Sequence, residues 1–140
     1  MAFNQMTAFM PSSTDAEKAY TLTFEHREGY LYARVEGVED SYEISRAFWL
    51  EVAAEAKRVG AGKVIIDEAI EQNATLTDVF LLASELPQMG FGRTLVAFVD
   101  RYLDHEEVNE FGGIVAANRG FSGGVFNNLE DAKKFLQVAD

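Results

Sequence analysis

The chain has 140 residues, 48% of them apolar, which suits one domain with an ordinary core and is too apolar for disorder. Acidic residues outnumber basic ones 23 to 12, a formal net charge of −11 that repels phosphate backbones and anionic bilayers, so neither nucleic acid nor membrane is an expected partner. Cysteine is absent, which excludes disulfides and thiolate metal sites and suits a reducing cytoplasm; with no basic residue before Lys18 and no apolar run near ~20 residues, neither a secretory leader nor a membrane span is expected.

Met1 to Ser13 stands apart. Phe3, Met6, Phe9 and Met10 recur at roughly helical spacing before Pro11. Residues 1–19 therefore read as an N-terminal arm that is loose, docked on its own domain, or docked on a second copy. Residues 20–140 read as a single domain.

Tyr20, Leu22 and Phe24 alternate with polar residues, and so do Leu31, Ala33 and Val35 beyond a turn at Arg27-Glu28-Gly29. That is a hairpin of half-buried strands. Asp40-x-x-Glu43 predicts a capped helix whose stripe is Ile44, Phe48, Val52, Ala56 and Val59, with Gly60 as terminator and Trp49 turned partly off the stripe. Lys63 to Asp67 reads as a buried strand, followed by a polar loop through Asn73. Thr75-x-x-Asp78 opens a second helix that ends at Pro87. Thr94 to Val99 is a second apolar strand. Asp104 is placed to cap a third helix, and Gly112-Gly113 within it predicts close packing or a kink. Gly123 to Phe126 gives a last strand and Leu129 to Val138 a last helix. The order is α/β: a hairpin, then alternating strands and helices, about five strands and four helices in a mixed sheet that is mostly parallel after the first strand.

The opening hairpin with Gly37, the strand Lys63-Val64-Ile65-Ile66-Asp67, Arg93 to Val99, and the closing Gly124-Val125-Phe126 with Ala132 and Leu136 resemble the STAS fold of sulfate transporters and anti-sigma factor antagonists. They look most like its stand-alone sporulation stage II AA-like relatives, over about Tyr20 to Leu136. In the antagonists, a serine opening the helix after this strand is phosphorylated by a partner kinase, within an aspartate, two hydroxyl positions and a glycine. The corresponding Asn73-Ala74-Thr75-Leu76-Thr77-Asp78 lacks that pattern, which argues for an unswitched role. The fold is also similar to CRAL-TRIO lipid-binding domains, which implies binding of a small apolar molecule.

Candidate chemistry gathers where Asp67 leads into the second helix, because open α/β sheets bind ligands at strand-to-helix crossings. Asp67, Glu71, Thr75 and Thr77 are the candidates for partner contact or phosphorylation. Glu68, Glu71 and Asp78 oppose a phosphate there, and Thr75 reads first as an ordinary helix cap. Asp67, Glu68 and Glu71 read as a solvated acidic edge rather than a metal site. Phe48, Trp49, Phe80 and Phe91 are candidates for a helix–sheet pocket, or else plain core. Gly120-Phe121-Ser122-Gly123-Gly124 matches the G-x-S-x-G elbow by letters, but a helix precedes it and a strand follows, so it reads as a turn. His26 and His105 have no metal-ligand spacing and read as surface or structural. No metal, no cofactor and no catalytic residue are expected. The leading expectation is a non-catalytic STAS-like binding or regulatory module, cytoplasmic, contacting another protein or a second copy near the crossing. The alternative is a carrier or sensor of a small apolar, lipid-like ligand.

Overall fold

The computed structural model describes residues 19–139. The expected N-terminal arm lies outside the described residues except for Ala19. Strands β1 (Tyr20–Arg27) and β2 (Tyr30–Glu39) form the hairpin. They are followed by helix α1 (Tyr42–Val59), strand β3 (Lys63–Gln72), helix α2 (Leu76–Glu85), strand β4 (Leu95–Asp100), helix α3 (Glu106–Asn118), strand β5 (Gly123–Phe126) and helix α4 (Leu129–Leu136). Single 3-10 turns at Leu86–Gln88 and Leu103–His105 complete the order. The five strands lie side by side in chain order, β1 antiparallel to β2 and the rest parallel. Among the described residues this is the α/β, mixed-sheet layout with five strands and four helices that the sequence predicts.

Each parallel step moves one strand further along the sheet, so right-handed crossovers put α1, α2 and α3 on the same face. Leu31, Ala33, Val35, Val64, Ile66 and Val96 point to that face and meet Phe48, Trp49 and Val52 of α1, Leu82 and Ala83 of α2, and Val115 and Ala116 of α3. The alternate residues Tyr30, Tyr32, Ile65, Ala97 and Val99 point the other way and meet Ala132 and Leu136 of α4. Two-sided cover explains the unbroken apolar runs in β3 and β4.

Helix ends follow local chemistry, with two departures from the sequence reading. Thr75 caps α2 as expected, its Oγ1 accepting from the Asp78 N–H at 3.2 Å. At α1 the cap is Ser41, not Asp40: the Ser41 Oγ accepts from the Ile44 N–H. Asp104 falls inside the 3-10 turn, and α3 begins two residues later without a side-chain cap. Gly112 does mark close packing, since a Cβ there would lie 2.8 Å from Val79 Cγ1 of α2. Gly120, at φ +90°, turns the chain from α3 toward β5, so the G-x-S-x-G letters form a helix-to-strand turn.

Strand β3 corrects the reading of its C-terminal half. It does not stop at Asp67 but runs to Gln72, so most of the expected polar loop is strand. Asp67 and Glu68 are both buried, on opposite faces, rather than a solvated edge.

Candidate functional site

In register, Glu68 of β3 lies between Val35 of β2 and Asp100 of β4. This row sits toward the C-terminal ends of the parallel strands, on the face covered by α1, α2 and α3. A cavity of about 80 Å³ opens beside it, between those helices and the sheet. Its apolar wall includes Trp49, Val79, Leu82, Val96, Phe98, Ala116 and Phe121. Gly112 and Gly113 of α3 and Gly123 and Gly124 of β5 also line it. Its polar end is made by Asp40, Ser45, Glu68, Asn73 and Asn109.

Three buried or largely buried carboxyls meet at or behind this end, and two are fully engaged. Asp100 accepts from His105 Nδ1 at 2.8 Å, Asn109 Nδ2 at 3.0 Å and the Tyr102 N–H at 3.0 Å. Asp40 accepts from the Ser45 hydroxyl at 2.7 Å and from the Ser41 N–H at 2.8 Å. Burial pushes the Asp40 carboxyl up to about 6, against the pull of those two hydrogen bonds, with further upward pressure from Asp78 and Asp100. Glu68 differs: only 3% of it is exposed, and no hydrogen bond from a described residue reaches its carboxyl. Burial first, then the nearby Asp40 and Asp100, hold it well above the usual carboxylate range. Asn73 Nδ2 is a second polar atom at the same end without a partner.

His105 is buried and committed. Its Nδ1 faces the Asp100 carboxylate and its Nε2 faces the Glu71 carbonyl oxygen at 2.9 Å. Both ring nitrogens are thereby engaged by protein atoms. No Lys or Arg lines the cavity, and among the described residues no three His, Cys, Asp or Glu side chains converge on a metal position.

The structure separates the sequence candidates. Asp67 points to the opposite face, fully buried, where its Oδ2 accepts from the Tyr32 hydroxyl and from Arg34 at 3.0 Å, with Arg101 at 3.5 Å. That hydrogen bond and burial push the Tyr32 phenol up to about 12, burial being the larger cause. Asp67 is therefore no surface contact, which corrects the expectation of an exposed rim at that residue. Glu71, Thr75 and Thr77 are exposed, Thr75 with its hydroxyl engaged in the cap. Of the four aromatic pocket candidates only Trp49 lines the cavity, and it points into the core rather than off the stripe. Phe48 packs against Tyr20, and Phe91 sits behind Trp49 and Phe121. Phe80 is 41% exposed and stacks on Phe111 outside the cavity.

Sequence reasoning missed Glu68 and Asp40 as cavity acids. The signal was the alternation Val64, Ile66, Glu68, Ile70, which continues the core face beyond Asp67. Compared with known proteins, the chain matches no family model, no curated protein and no solved structure.

Proposed function

We propose that this protein binds a small, largely apolar molecule in the cavity between its three-helix layer and its sheet, as a carrier or sensor. The observation that carries the reading is Glu68, a buried carboxyl without a hydrogen-bond partner among the described residues, at the end of an apolar cavity. Binding sites are mostly apolar with a few placed polar groups. A buried polar group without a partner costs about 1–3 kcal/mol, more when charged. A ligand that supplies the missing partner offsets that cost. Binding is favoured over catalysis because His105 has both ring nitrogens engaged and so offers no free base. The likeness to STAS and CRAL-TRIO domains stays part of the proposal, supported by the hairpin-first order of the sheet.

Native mass spectrometry of freshly purified protein tests it. The wild type is expected to carry a small bound mass. Ala116→Leu, which projects three more carbons into the cavity, is expected to lose that mass while keeping its circular dichroism. A clean apo mass, with no thermal stabilisation by any apolar probe, removes the reading.

A second reading, contact with another protein or a second copy near the β3–α2 crossing, is favoured by α2 itself. Leu76 is 55% exposed and Phe80, one turn on, is also open. A wild-type sedimentation coefficient that Phe80→Glu leaves unchanged removes self-association through this face.

A further inference from the structure

The ligand's chemical class follows from the polar end of the cavity, provided the cavity is a ligand site as proposed above. We propose that the cavity takes an amine, its ammonium group seated against Glu68 and Asp40 and its apolar tail against Trp49, Phe98 and Ala116. The Glu68 carboxyl offers two oxygens and meets no donor among the described residues, and Asp40 stands beside it. An ammonium brings three donors and a positive charge to that place. An anionic ligand adds a further negative charge to an acidic pocket. A neutral alcohol fills the space but leaves the repulsion between the two acids as it was. Asn73 Nδ2 remains available to an oxygen elsewhere on the ligand.

The charges that act on Glu68 come from Asp40 and Asp100, both acids, while β2 and α3 face it with uncharged residues. Asp40 comes from the turn before α1, with Ser45 on the helix. Asp78 of α2 accepts from the Tyr42 N–H at 3.2 Å. Asp100 ends β4, and His105, the single cationic candidate, is already paired with it. A cavity of about 150 Å³ holds a benzene ring, so this one, at about 80 Å³, seats a tail of about three carbons. Longer tails extend toward its open side.

Because burial favours the protonated acids, ammonium binding must displace a proton from them. Affinity for an amine therefore rises with pH through the range in which Asp40 and Glu68 titrate. Affinity for an alcohol does not.

The test is an NMR titration of the full chain with n-propylammonium chloride, n-propanol and sodium propionate at pH 5, 6.5 and 8. The ammonium is expected to move the amides of Asn73, Asn109, Gly112 and Gly113. At pH 8 it is expected to bind about tenfold more tightly than propanol, the difference between a charge-assisted and a neutral hydrogen bond. That preference shrinks at pH 5. Glu68→Gln reduces both the preference and its pH dependence to what Asp40 alone supplies, while propanol still binds. Propanol binding as tightly as the ammonium at pH 8, or propionate binding more tightly than either, overturns the amine and leaves the cavity reading standing. Silence from all three probes overturns both. The wild-type ratio of ammonium to propanol decides the matter even where the variant does not fold.

Discussion

Glu68 spends its folded life among apolar walls and two other acids. Its position is costly in the ionised form, and that cost has a pH signature. An exposed aspartate loses its proton near 3.8, whereas Asp40 in the folded chain holds it to about 6. Glu68 is displaced in the same direction from 4.5. Between the unfolded and folded values the native state holds more protons, so stability falls as pH rises. On the acid side Glu55, drawn down to about 2 by its hydrogen bond from Arg58, contributes stability that is lost as pH falls from 4.5 toward 2. Urea unfolding is therefore expected to show greatest stability at about pH 4–5 and a decline toward pH 8. Glu68→Gln is expected to flatten the decline and to exceed the wild type at pH 8 by about 1–3 kcal/mol. A variant less stable than the wild type at pH 8 contradicts the unpartnered carboxyl. None of this was legible residue by residue. Acids after an apolar run usually mark a strand end, because burying them is expensive, and only Ile70 betrayed that the strand went on.

At the scale of elements the sequence was readable wherever apolar period and punctuation agreed. The hairpin, the stripe of α1 as far as Ala56, the Thr75 cap and the alternation of strands and helices all emerged from local rules, whereas Val59, expected to close the stripe, is exposed in the last turn of the helix. The failures share a cause. Asp40 and Asp104 were read as caps because Asp favours that position. Ser41 took the first role, and a 3-10 turn displaced the second. Tertiary contacts decided both, and they leave no local trace. Helix α2 carries its own prediction. Its exposed Leu76 and Phe80 flank the residues expected to meet a partner, and Arg119 of the chain after α3 lies 5.5 Å over the Phe80 ring. Phe80→Glu places a carboxylate near that guanidinium, so the fold is expected to survive. If α2 mediates self-association, sedimentation velocity shows a smaller species for the variant at the same concentration. Equal coefficients confine α2 to covering the cavity.

The whole molecule is a sheet between unequal layers. Among the described residues three helices cover one face and a single short helix covers part of the other, and the cavity lies on the three-helix side. Glycines of α3 and β5 line it, the close α2–α3 contact at Gly112 bounds it, and its acids come from the turn before α1 and from β3. Among the described residues no helix is long and apolar enough to cross a membrane. Layer order was legible from the alternation of elements; the cavity was not, because a void is a property of side chains from six separate segments. Its existence is the claim on which the binding proposals rest, and xenon addresses it directly, since dry apolar cavities take up the gas. A crystal of the full chain under xenon pressure is expected to show a peak among Trp49, Leu82, Phe98 and Ala116, adjacent to Glu68. A crystal with no xenon there, and with Trp49 and Phe121 closed over the space, contradicts the account.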